Sequence, residues 1–313
     1  MRIKPATNQK TRIGLVQQAS RDGSQSNLAP CADLCQRAAK ADCSLVLLPE
    51  LHNGDYFCQT EDTARFDGAE PVPGPTTERL GRVAAEFGVV IVGSVFERRG
   101  AGVYHNTAVV LDSDGSLAGV YRKMHIPDDP GFYEKFYFTP GDLGFQPVDT
   151  RVGRLGVLVC WDQWFPEAAR LMALAGAEVL LYPTAIGWDP QDDEAEQQRQ
   201  LDAWITVQRG HAIANGIPLA ACNRVGFEAA PGAGPVREDP KAAPNAEPGL
   251  LFWGNSFVCG PQGEWLARAT AHDETLLIAD LDLGRSEQVR RIWPFLRDRR
   301  IDAYGDLLRR WRD

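Results

Sequence analysis

The chain has 313 residues, 44% hydrophobic and 24% charged, ordinary globular material with enough apolar content for one large core. A formal net charge of −9 argues against a nucleic-acid or anionic-membrane surface and suits a cationic ligand, and no apolar run is long enough to span a bilayer. The first ten residues hold no secretory core, and the seven cysteines form no C-x-x-C pair, so neither a disulfide framework nor a zinc site is favoured and a cytoplasmic protein is expected.

In chain order, residues 12–18 read as a strand, 28–40 as a helix and 44–49 as a second strand that stops at Pro49-Glu50, leaving a carboxylate at its end. The Gly- and Pro-rich run 68–75 leads to an amphipathic helix over 76–87 and a strand over 89–96. Strands at 104–111 and 117–121 flank Asp112-Ser113-Asp114-Gly115, a hairpin turn whose residues tolerate positive φ. Lys123 follows directly. Residues 126–145 are too irregular for a long element and too aromatic for a solvated linker, which predicts an ordered loop over a site.

The stretch 155–188 organises the rest. Residues 155–159 have the length of a buried strand, Pro166 suits the first turn of a helix, Gly176 suits its end, and 178–182 read as another strand. Cys160 therefore sits at a strand-to-helix turn, where ligands gather in α/β sheets and where backbone N–H groups and a helix dipole can hold a thiolate. On this stretch alone a small buried packing cysteine is an equal reading. A helix over 194–215 and strands over 217–223, 252–259 and 275–281 follow. Residues 228–250, with five prolines, read as a flexible surface excursion. In the tail 285–313 arginines alternate with Asp298, Asp302, Asp306 and Asp313, which suits a packing or subunit-contact segment better than a nucleic-acid arm. The alternation of strands and helices predicts a mixed α/β sandwich in one domain spanning 1–313.

Glu50, Lys123 and Cys160 thus lie at or beside predicted strand ends. A thiol with an ordinary pKa is only slightly ionised at neutral pH, so a catalytic one needs a base or positive neighbours. Glu50 could take its proton, Lys123 could hold the charge developing on a carbonyl oxygen, and the backbone N–H of Trp161 could complete an oxyanion site. His52, His105, His125 and His211 raise a Cys-His alternative, but no cysteine-protease signature surrounds Cys160. For Tyr56, Trp161 and Trp188, pocket lining and core packing are both open readings.

Pro49-Glu50, Tyr121-Arg122-Lys123 with the loop that follows it, and Leu-Val-Cys-Trp-Asp-Gln-Trp-Phe-Pro-Glu-Ala-Ala-Arg at 158–170 together resemble the carbon–nitrogen hydrolase (nitrilase) superfamily. Tyr-Phe-Cys-Gln at 56–59, Tyr-Pro-Thr-Ala-Ile-Gly-Trp at 182–188, Phe-Trp-Gly-Asn-Ser-Phe at 252–257 and the segment 293–302 are similar to its branch that hydrolyses N-carbamoylputrescine. The resemblance implies a four-layer αββα sandwich, a Glu50-Lys123-Cys160 triad with Glu134 in support, a cofactor-free and metal-free reaction, and a homo-oligomer built from dimers. The implied products are putrescine, carbon dioxide and ammonia. A β-ureidopropionase-like or ω-amidase activity is the alternative, and a catalytically silent binding relative a remote one. Asp55 and the long 228–250 excursion depart from the pattern.

A cationic substrate with an ammonium some four methylenes from its ureido group needs an apolar sleeve ending in carboxylates. Asp128 and Asp189 follow the catalytic segments closely and are the candidates, although both also suit loop capping. The faces of Trp188 or Phe132 could add a cation–π contact.

Overall fold

The computed structural model describes residues 10–20, 27–189, 191–230 and 248–312. The first part of the chain forms β1 (Lys10–Gln17), α1 (Leu28–Lys40), β2 (Leu45–Leu47), α2 (Pro75–Phe87), β3 (Val90–Gly100), β4 (Val103–Leu111) and β5 (Leu117–Arg122). The middle forms α3 (Glu134–Tyr137), β6 (Val148–Thr150), β7 (Gly153–Val157), α4 (Pro166–Leu174), β8 (Val179–Pro183), β9 (Gly187–Trp188) and α5 (Glu194–Asn215). The last part forms β10 (Leu219–Cys222), β11 (Val225–Ala229), β12 (Gly249–Trp253), β13 (Phe257–Cys259), β14 (Trp265–Arg268), β15 (Thr275–Asp282) and α6 (Gly284–Ile292).

Two six-stranded sheets, ordered β15-β1-β2-β3-β4-β5 and β14-β13-β10-β8-β7-β6, are joined by a small three-stranded one, β11-β12-β9. Each large sheet has a parallel centre, β1-β2-β3 or β10-β8-β7, flanked by antiparallel strands. Strand alternation sorts the side chains by face. Ile13, Leu15, Leu45, Leu47, Val90 and Val92 share one core with the second sheet and with α4 and α5, whereas Val16, Val46, Leu48, Val89 and Ile91 pack on α1 and α2. The result is an αββα sandwich. Its parallel strands direct their carboxyl ends, and the loops leaving them, toward one region.

Local chemistry sets the helix boundaries. Pro75 follows Gly74 at the start of α2, Thr77 Oγ1 accepts from Gly74 N at 2.8 Å, and Gly88 ends the helix with φ at +64°. Asp193 caps α5 by accepting from Glu196 N at 2.8 Å, and Gly216 ends it at +59°.

Two expectations are corrected. The strand expected over 252–259 is broken, because Gly254 and Asn255 both adopt left-handed φ, 54° and 53°, and send β12 and β13 into different sheets. A Cβ at Gly254 would lie 2.8 Å from Gln17 Nε2 and Thr270 O, so only glycine fits that crossing. The expected excursion over 228–250 is structured at both ends, where β11 and β12 pair antiparallel and Glu228 is buried. Residues 231–247 of it lie outside the described residues.

Candidate active site

Glu50 lies just past β2, on a corner where Leu51 takes a φ of +47°. Glu50 N donates to Thr184 O at 3.2 Å and Leu51 N to Ser94 Oγ at 2.7 Å, so the turn is tied to β3 and to the loop after β8. Lys123 continues the β4–β5 ladder past its last strand residue, its amide donating to Asn106 O at 2.9 Å. Glu134 opens α3 within the aromatic loop, and Leu51, Tyr56, Cys58, Phe96, Ile126 and Tyr137 belong to the apolar cluster around that loop.

These segments bring the charged groups into one buried cluster. Glu50 and Glu134 are fully buried and Lys123 is 1% exposed. Lys123 Nζ donates to Glu50 Oε1 at 2.7 Å and to Glu134 Oε2 at 2.6 Å. Asn106 Nδ2 also donates to Glu50 Oε1 at 2.7 Å, and Tyr56 OH donates to Glu134 Oε1 at 2.7 Å. Glu50 Oε2 is buried with no hydrogen-bond partner among the described residues. Two carboxylates facing one ammonium leave an excess negative charge. Burial, helped by Glu50 and opposed by Lys123, holds the Glu134 carboxyl up at about 7.

Cys160 sits past β7 with a φ of +43°, a left-handed conformation unusual for a side-chain-bearing residue. Asp162 holds this elbow: its carboxylate accepts from Val159 N at 2.9 Å, Tyr121 OH at 2.9 Å and His125 N at 3.0 Å, and contacts His125 Nδ1 at 2.7 Å. The expectation that Cys160 sits at a helix N-terminus is corrected. Residues 160–164 form a 3₁₀ turn, and α4 begins only at Pro166. Burial pushes the Cys160 thiol well above its usual range, Glu50 adds to this and Lys123 opposes it. The side chain is 4% exposed, and its sulfur lies 3.7 Å from Ala185 O.

The other expected site residues divide into two groups. Tyr56 is fully buried and joins the cluster through Glu134, with Phe132 packed on its ring at 5.6 Å. Trp161 is partly exposed next to the thiol and meets Trp164 edge-on. Trp188 packs on Trp253 at 5.4 Å and donates through Nε1 to Gln197 O at 2.9 Å, which fixes its ring. Asp128 and Asp189 are exposed and outside the buried cluster. Asp189 caps its own turn, accepting from Gln191 N at 2.9 Å, because a short carboxylate bonds readily to backbone two residues on. Asp55 pairs with Arg65 at 3.3 Å, each about one-third exposed. The histidines lie elsewhere in the chemistry: His211 bonds Gln163 O at 2.8 Å, and burial followed by Arg224 holds His52 neutral, down to about 3.

Sequence reasoning missed Asn106, Asp162, Arg224 and Glu228. Arg224 had a usable signal, since it follows the carboxyl end of a predicted buried strand. No group of three or more His, Cys, Asp or Glu side chains among the described residues is arranged to hold a metal ion, and no described helix is long and apolar enough to cross a membrane.

A profile of the carbon-nitrogen hydrolase family matches residues 12–291. The chain is 43% identical over 302 residues, 96% of each chain, to the N-carbamoylputrescine amidase of Solanum lycopersicum. It is 38% identical over 301 residues, 96% of this chain and 99% of the other, to the citrullinase of Francisella tularensis. The crystal structure of a carbon-nitrogen hydrolase from Helicobacter pylori G27 aligns with a TM-score of 0.90 and 52% identity, covering 97% of this chain and 100% of that one. With a profile match across nearly all of its strands and a relative this similar end to end, the chain belongs to the carbon-nitrogen hydrolase family.

Proposed function

We propose that the protein is an amidohydrolase that converts N-carbamoylputrescine and one water to putrescine, carbon dioxide and ammonia, with Cys160 as nucleophile. The observation that carries the reading is the unpartnered Oε2 of Glu50, in the buried cluster whose charges act on the Cys160 thiol. As the sulfur attacks the carbamoyl carbon, its proton passes to Glu50, and Lys123 with the Trp161 amide holds the oxyanion. Glu50 returns the proton to the leaving nitrogen, the C–N bond breaks, and a thioester-type intermediate remains on Cys160. Glu50 then deprotonates water, which attacks this intermediate; the C–S bond breaks, the proton passes from Glu50 back to the Cys160 sulfur, and the carbamate released loses carbon dioxide. Glu134 and Tyr56 orient Lys123 throughout.

The substrate assignment draws on the similarity to amidases of that name. A second reading, a ureido amino acid, draws on the similarity to a citrullinase, and ω-amidases are more distant relatives. Ammonia release is to be measured on N-carbamoylputrescine, citrulline, N-carbamoyl-β-alanine and short amides, with Cys160→Ala as the blank. Fastest release from N-carbamoylputrescine is expected. A preference for either carboxylate-bearing substrate would replace the assignment.

The chain is also proposed to be a single catalytic domain that assembles through its tail into a homo-oligomer. Ile292, Leu308 and Trp311 are 77%, 94% and 82% exposed, an apolar display that a second copy would cover. Light scattering of Leu308→Asp with Trp311→Asp should give a lower mass than the parent chain.

A further inference from the structure

Arg224 lies between β10 and β11 with its side chain only 3% exposed, and the hydrogen bonds of that side chain all lead toward the site. Its Nε and Nη2 donate to Glu50 O at 3.2 and 3.1 Å, and Nη2 also reaches Leu51 O at 2.5 Å. Two successive carbonyls turn toward one guanidinium at a corner where Leu51 is left-handed, a conformation a leucine holds when its surroundings impose it. The remaining arm, Nη1, donates to Glu228 Oε1 at 2.9 Å. The other oxygen of Glu228 accepts from Tyr56 N at 2.7 Å, and Tyr56 is the residue whose hydroxyl holds Glu134. One carboxylate therefore touches two chains of contact, one ending on the backbone of Glu50 and the other on the side chain of Glu134. Both end on carboxylates that share the ammonium of Lys123.

We infer that Arg224 and Glu228 form a positioning pair that sets the spacing of the two active-site carboxylates, acting through the backbone of Glu50 and Leu51 on one side and through Tyr56 on the other. This rests on the reading of Glu50 and Glu134 as parts of the reaction centre. A planar guanidinium is required, because a lysine ammonium lacks the fork that serves two carbonyls and a carboxylate together. A buried ion pair that merely staples the fold would look the same in a static view but would differ in kinetics. Replacing both charges by neutral groups removes the cost of burying one charge without its partner, yet it does not restore the hold on the Glu50 corner.

The test compares Arg224→Lys and the double variant Arg224→Met with Glu228→Gln, each first checked for a cooperative thermal transition. Steady-state kinetics on N-carbamoylputrescine and the rate of Cys160 alkylation by chloroacetamide, a probe too small to need the far end of the pocket, are then measured. Both variants are expected to lose between about ten- and a hundredfold in kcat with KM little changed, and to alkylate more slowly in parallel. A double variant with recovered stability and the kcat of the parent chain would reduce the pair to a staple, as would a loss confined to KM. Turnover by Cys160→Ala would remove the underlying reading and the inference with it, whereas a silent Cys160→Ala beside a fully active Arg224→Lys removes the inference alone.

Discussion

The corner after β2 that carries Glu50 and the corner after β7 that carries Cys160 use the same backbone device, since Leu51 and Cys160 adopt left-handed φ of 47° and 43°. Their surroundings differ. The Glu50 corner is held by Ser94, Thr184 and Arg224 on its backbone and by Asn106 and Lys123 on its carboxylate, whereas the thiol of Cys160 has a 3.7 Å contact to Ala185 O and its turn is held from two residues away by Asp162. A base must present one oxygen in one direction, which takes many fixed partners. The proposed nucleophile must be free to move onto carbon, which fits a fixed turn and a sulfur with that one long contact.

The comparison breaks first at the reacting groups. Cys160→Ser, Glu50→Gln and Lys123→Ala should each lower kcat about a thousandfold or more with an intact circular dichroism spectrum, and double variants should be little worse than single ones. Near-normal turnover by any one would take that residue out of the mechanism.

The next effect concerns pH. With Glu134 held at about 7 by burial, it gains a proton as pH falls through that value and ceases to be the anion that Lys123 and Tyr56 bond to. The parent chain should therefore lose kcat/KM as pH drops below about 7. Glu134→Gln, neutral at every pH, should have a reduced kcat without that limb. Persistence of the limb in the variant would show that Glu134 is not its source.

At the Cys160 corner the expected change is in stability more than in chemistry. Asp162→Asn removes the charge from a buried acceptor of several hydrogen bonds and should cost about 3 kcal/mol in denaturant unfolding. Unchanged stability would mean that apolar packing alone maintains the turn. The smallest effect is at the surface. An exposed carboxylate is worth at most about 1 kcal/mol to an ammonium, so Asp128→Asn or Asp189→Asn should raise KM for the amine substrate no more than about fivefold and leave a neutral amide unaffected. Equal changes for both substrates would identify these residues as loop formers.

The two corners also differ in how far they could be read from sequence. The Glu50 and Cys160 positions are legible because each ends an apolar run of strand length; α1 is legible from its one-sided apolar face, and α5 from the Asp193 and Gly216 that bound it. Lys123 and Glu134 needed the family resemblance to be brought together. For the residues that hold the Glu50 corner only the position was legible: Arg224 follows the carboxyl end of a predicted strand, but its partner lies 174 positions away, so the pairing could not be read. The break between β12 and β13 was missed because the apolar residues on both sides read as one run, although Gly254-Asn255 is itself a turn signal, and the crossing at Gln17 and Thr270 shows why the chain turns there.

Of the two oxygens of Glu50, Oε1 receives both Lys123 and Asn106 while Oε2 has no partner among the described residues. In the proposed mechanism the proton traffic of a full turnover then runs on a single track. Thiol, departing nitrogen and incoming water must use the same oxygen in turn, and none can load it until the one before has cleared it. Ordered chemistry follows from occupancy alone, with no moving part: a water arriving before the amine has gone finds the track in use.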